Sequence, residues 1–211
     1  LSGPDTLIPP IDRPPHNRTF YRRHLEALNR YYEAQTYGQV HIVGDVWPRD
    51  QNGAYTISDM ADLGPWKFSQ DIYGAAVHMM RAMFFAADSQ SIVRGERIPW
   101  DCYDRFVIIH AGSDFQSDVR QDSPEDIPSF TVGVSDTDVV IFPDSLNRPL
   151  DRVAIIPEHI NQDGFYGAIN GVLAHECGHL FFGFFDVYDI ESGLPVVGYW
   201  SLMDSGNNVG I

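Results

Sequence analysis

The sequence predicts an α+β fold, and three observations point to it. Two stretches repeat apolar residues at helical spacing, several short apolar runs read as strands, and helices and strands do not alternate regularly along the chain. That order suits a twisted mixed sheet, with helices packed on it in two or three layers, better than a doubly wound parallel sheet.

In chain order, residues 1–18 are rich in Pro, Asp and Asn and read as an extended arm. Thr19 is placed to cap a helix over Phe20–Tyr32, with Leu25, Leu28 and Tyr32 on one face. Tyr37 and Gly38 end that unit, and alternating Val and Ile over Gln39–Val46 predict a strand. After a turn-rich stretch, residues 70–88 carry Ile72, Ala76, Met79, Met80 and Met83 at helical spacing, a stripe that reads as core. Arg105–His110 reads as a strand and 113–130 as an acidic loop. Thr131–Val134, Asp138–Phe142 and Arg152–Ile156 read as three more strands, and a last long helix is expected from Gly164 to Phe182.

A chain of 211 residues suits a single domain with a core of its own. At 44% hydrophobic and 20% charged residues it is neither disordered, collagenous nor coiled coil. No apolar run reaches the roughly 18 residues of a membrane span, since Ala75–Ala87 is broken by His78 and Arg81. A net charge of −15 repels phosphate backbones and anionic membranes, so no nucleic-acid partner is expected. Asp outnumbers Glu 22 to 7, a balance that suits turns and hard-cation sites, or simply a solvated acidic surface. Two cysteines, Cys102 and Cys177, make no disulfide framework, and their pairing stays open. The start, Leu-Ser-Gly-Pro, reads as that of a piece processed from a longer protein.

The informative stretch is His175-Glu176-Cys177-Gly178-His179. Random placement of 8 His and 7 Glu in 211 residues gives this HExxH pattern in about one such chain in a hundred, so its context must decide. On a helix, residues four apart share a face, and two imidazoles at that spacing can grip one Zn²⁺. The intervening Glu176 lies about 100° round the helix, where its carboxylate misses the ion but reaches a water bound to it. Two His and a Glu among Val172, Leu173, Leu180 and Phe181 would be costly to bury without a partner. A catalytic zinc needs a third protein ligand and leaves a position for water. Gly183 is the natural helix stop, and Asp186 beyond it can return to close the site.

HExxH, then Gly and Asp, with Trp200, Ser201, Leu202, Met203, Ser205 and Gly206 downstream, resembles the immune inhibitor A family of secreted bacterial metallopeptidases. Tyr37-Gly38 resembles that family's SYGK element, Asp104–Gly112 its central strand, and Ile156-Pro157-Glu158 with Gly171–Ala174 the run into its active-site helix. The likeness spans residues 20–206, with its specific motifs in the last 50. It implies a zincin or metzincin-like fold with a small C-terminal lobe: residues 19–182 as the upper lobe, 183–211 as the start of the lower one, and Met203 as the methionine turn beneath zinc. One departure stands out. The family pattern HExxHxxGxxD puts Gly and the ligand where this chain has Phe182 and Phe185; here Gly183 and Asp186 each fall one place later. An extra helical residue turns the exit by about 100° and needs a bulge or a tighter last turn. Asp186 is the first choice of ligand, with Asp189 and Glu191 as alternatives.

The expected function is that of a secreted, extracellular zinc endopeptidase acting on protein or peptide substrates, with zinc on His175, His179 and Asp186 and Glu176 as general base. A strand before the site helix, Asp138–Phe142 or Arg152–Ile156, would bind substrate by edge addition, and Tyr199 is a candidate oxyanion donor. The alternative is a catalytically degenerate metal-binding or adhesive module. A second enzyme reading takes a Glu ligand from another helix, for which Glu191 is badly placed in its Gly/Pro-rich setting. Asp114, Asp118, Asp122, Glu125 and Asp126 could hold Ca²⁺, although no EF-hand spacing is present and a solvated loop explains them as well. His110 reads as a core histidine and Cys177 as a small buried hydrophobe.

Overall fold

The computed structural model describes residues 12–57, 72–133, 152–164, 166–190 and 192–208. They form a mixed α+β fold of three α-helices and a small three-stranded mixed sheet: α1 (Arg18–Gln35), α2 (Ile72–Val93), β1 (Phe106–His110), β2 (Phe130–Gly133), β3 (Arg152–Pro157) and α3 (Ile169–Phe182). The strand order is β1-β3-β2, with β1 parallel and β2 antiparallel to β3.

The central strand β3 is buried from Val153 to Pro157, as an apolar run covered on both faces should be. Successive side chains point to opposite faces. Val153 and Ile155 therefore join Ala76, Val77, Met79, Met80 and Phe84 of α2 on one side. Ala154 and Ile156 join Leu28 and Tyr32 of α1 and most of α3 on the other. The result is three layers: α2, then the sheet, then α1 with α3. The expected helix stripe is borne out at Ala76, Met79 and Met80, which are buried, with Met83 packed against them.

Several expectations change. The N-cap of α1 is Asn17, whose Oδ1 accepts from the Phe20 amide at 3.1 Å; Thr19 lies inside the helix and its hydroxyl pairs with Gln51. Gln39–Val46 forms no strand. Side chains of α1 and of its C-cap claim the segment's amides instead: Thr36 Oγ1, at the cap, accepts from Val40 at 3.0 Å and Asn29 Oδ1 from Ile42 at 2.6 Å. α3 begins at Ile169, not Gly164, because Asp163 and Gly164 both take the left-handed conformation, which a right-handed helix cannot contain. Asp104–Gly112 contributes β1, which among the described residues pairs with β3 alone. Arg152–Ile156, as β3, has a strand on each side and cannot take a peptide by edge addition. Asp138–Phe142 lies outside the described residues. Of the N-terminal arm, Asp12 and His16 are tied to the body: Asp12 Oδ2 accepts from the Ile169 amide at 2.8 Å, and His16 Nδ1 lies 2.7 Å from Glu158 Oε1. Among the described residues, no helix is long and apolar enough to cross a membrane.

Candidate metal centre

The site is built on α3. Its N-cap, Ala168, offers no side-chain acceptor, and the carboxylate of Asp12 reaches in to accept the first orphan amide. At the other end Gly183 adopts φ +66°, the left-handed conformation that glycine takes without penalty. The Gly183 amide bonds the His179 carbonyl at 3.0 Å and the Phe184 amide reaches back to Gly178 at 3.3 Å, so the last turn widens. This is a local bulge at the helix end, one of the two geometries expected there. Arg152 Nη1 donates to the His179 carbonyl at 2.9 Å and Arg105 Nε to that of Leu180 at 3.2 Å, satisfying the helix end.

Past that stop the chain returns Asp186 to the two imidazoles. Asp186 Oδ1 lies 3.1 Å from His175 Nε2 and 3.2 Å from His179 Nε2, and the two Nε2 atoms are 3.2 Å apart. Each Nδ1 faces a backbone carbonyl, Leu202 at 2.9 Å for His175 and Phe184 at 2.6 Å for His179. A carbonyl only accepts, so each Nδ1 carries the proton and each neutral ring turns its Nε2 lone pair to the same point. With both rings neutral no donor reaches Asp186 Oδ1, although this oxygen is buried. Tetrahedral ligands at about 2.0–2.1 Å from zinc stand about 3.3–3.4 Å apart. A near-equilateral triangle of two nitrogens and one carboxylate oxygen, all with unclaimed lone pairs, fits Zn²⁺ in both donor type and size. Without an ion, a proton taken up by either imidazole sits on Nε2 and is donated to Asp186 Oδ1. Burial opposes charge on both imidazoles, but Asp186 outweighs it and draws them up, while the imidazoles overcome burial to hold Asp186 well below the usual carboxylate range.

Glu176 is 5% exposed, with Oε1 at 4.0 Å from His175 Nε2 and Oε2 at 2.8 Å from the hydroxyl of Thr131. Burial pushes its carboxyl above the usual range. Met203 is buried beneath α3, where a Cβ at Gly178 would stand 2.9 Å from its Sδ. The turn around Met203 holds two parts of the site, since the Leu202 carbonyl orients His175 and the Met203 carbonyl accepts from the Val187 amide at 2.9 Å, next to Asp186. Asp204 braces that turn by accepting the amides of Val196, Val197 and Gly198 at 2.8–3.0 Å.

Asp189 is exposed and accepts the Ser192 amide at 3.1 Å, away from the triad. Glu191 lies outside the described residues. Tyr199 is exposed in a turn, whereas Tyr188, not foreseen, has its hydroxyl pushed up to about 12 by burial and by the Asp186 carboxylate. The acidic loop divides. Asp118 and Asp122 come together with Asp163, which the sequence did not suggest. Asp114 is buried and bonds Ser117 and Ser129, Asp126 accepts from Gln162 at 2.9 Å, and Glu125 is exposed. His110 is buried at the end of β1, Cys177 is fully buried, and both cysteines are free.

No protein-family model, no curated protein and no solved structure matches this chain.

Proposed function

We propose that this chain is the catalytic domain of a secreted zinc endopeptidase with metzincin-like organisation. The observation that carries the reading is the convergence of His175, His179 and Asp186, lone pairs unclaimed, beside a buried Glu176. Zinc held by these three residues would supply an acidified water and a Lewis acid for the scissile carbonyl. Glu176 takes the water's proton and returns it to the leaving amine. Its burial and raised carboxyl suit that shuttle, since a group that releases protons too readily is a poor base. Peptide substrate lies along β2, which pairs with β3 on one side and, among the described residues, with nothing on the other. The shifted Gly–Asp spacing is the main support for a degenerate module, and the widened end of α3, beyond which Asp186 meets both imidazoles, supports the active reading instead.

The test is metal content together with casein cleavage, with and without a chelator. One zinc per chain and chelator-sensitive cleavage are expected. Glu176→Gln should keep the zinc and lose about 10²–10⁴ in rate. A chain that binds zinc tightly yet cleaves nothing would be the degenerate module, and a chain that binds no transition metal would end both readings.

A further inference from the structure

We infer that Thr131 is a positioning residue that sets the carboxylate of Glu176, and that β2 thereby links substrate binding to the base; this rests on the peptidase reading above. Phe130 and Val132 pack on the α2 side of the sheet. Alternation turns Thr131 to the other face, in register with Ala154, which packs with α3. There its Oγ1 stands 2.8 Å from Glu176 Oε2 and 3.0 Å from the Glu176 backbone carbonyl. A buried carboxylate needs a donor, and among the described residues this hydroxyl is the one within hydrogen-bonding distance. Fixing Oε2 leaves Oε1 as the oxygen turned toward His175, 4.0 Å from its Nε2. A free carboxylate would rotate between orientations; this one is held with a single oxygen facing the place where water must be deprotonated. Because the hydroxyl sits on the strand with the open edge, a peptide added to β2 braces the strand that orients the base.

Thr131→Val preserves shape and β-branching but removes the hydroxyl, and Thr131→Ser keeps it. Thr131→Val should lower kcat about 10- to 100-fold, the usual cost of losing a bond that orients a site group, with KM and zinc content unchanged. Thr131→Ser should recover most of the loss, and Thr131→Val added to Glu176→Gln should cost little more. A second measurement does not depend on activity. In the metal-free protein Thr131→Val should lower Tm by about 2–6 °C, and by much less in a Glu176→Ala background. Equal losses in the two backgrounds, or wild-type kcat in Thr131→Val, would overturn the inference. An inactive wild type, or full activity in Glu176→Gln, would instead remove the peptidase reading, and the stability cycle would still decide whether Thr131 holds Glu176.

Discussion

Among the described residues two places gather three side chains of metal-ligating type, and they are built in opposite ways. At His175, His179 and Asp186, every ligand atom points inward unclaimed while the outer nitrogens are tied to backbone carbonyls. At Asp118, Asp122 and Asp163 two of the three carboxylates are already in use: Asp118 accepts the amides of Asp122 and Ser123 at 3.1 and 3.0 Å. Asp163 accepts the Arg120 amide at 3.0 Å and lies 3.6 Å from its guanidinium. With its rings neutral the first group has lone pairs without donors, whereas in the second Asp118 and Asp163 already hold donors. Proximity of carboxylates is common on a surface of net charge −15; what marks a metal centre is unclaimed lone pairs held by a rigid frame.

The largest expected effect tests that contrast directly. His175→Ala should abolish zinc binding, and Asp186→Asn should weaken it by at least about 100-fold, more than the loss of an orienting partner costs. Asp189→Asn and Asp118→Asn should leave zinc untouched. Competition against a zinc-sensitive dye measures all four. If Asp189→Asn strips the metal while Asp186→Asn does not, the path beyond Gly183 is wrong; if neither matters, the third ligand comes from elsewhere.

The parts of the site that could be read from the sequence are those that local geometry encodes. His175 and His179 meet because helical spacing is local, and Asp186 follows because Gly183 ends the helix in the left-handed conformation. The three layers were legible in outline, since the stripe of α2 and the apolar run of β3 each announce their faces. What stayed hidden depends on distant partners. Thr131 reaches Glu176 across 45 residues, and Asp12 caps α3 across 157. Alternation along β2 was the one available clue to Thr131, because Val132 belongs to the core and its neighbour must face the other way. The false strand at Gln39–Val46 has the same origin: the apolar alternation is real, but Asn29 of α1 and its C-cap Thr36 supply the acceptors a neighbouring strand would have offered.

A smaller effect concerns the frame rather than the ligands. Burial would raise the carboxyl of Asp204, yet the amides it gathers hold it down at about 2, against an ordinary value of 3.8. A depressed carboxyl stabilises the folded state at every pH above its unfolded value, and that contribution is lost as pH falls from about 3.8 to about 2. Acid unfolding of the metal-free protein should therefore differ between wild type and Asp204→Asn above pH 4, with the difference closing toward pH 2. Because this turn carries the Leu202 carbonyl, Asp204→Asn should also weaken zinc binding by about 10- to 100-fold. Undisturbed zinc affinity would detach the turn around Met203 from His175, His179 and Asp186.

The smallest effect belongs to the acidic group, and it is the one that could break the comparison. A calcium site of the extracellular kind, with Kd of about 10⁻⁴–10⁻³ M, would stabilise the fold by about 1–2 kcal/mol at 5 mM Ca²⁺ through mass action. For a chain of this size that is a rise in Tm of about 2–9 °C. The claimed oxygens of Asp118 and the pairing of Asp163 with Arg120 predict less: a shift below about 1 °C, the same for Mg²⁺ as for Ca²⁺. Asp118→Asn should then lower Tm equally with and without calcium, since what it loses is an acceptor for the amides of Asp122 and Ser123. Suppose instead that calcium alone raises Tm by several degrees and that Asp118→Asn or Asp163→Asn abolishes the rise. Asp118 and Asp163 would then have released their internal donors to take an ion, and bound amides would no longer distinguish a surface cluster from a metal site in this protein.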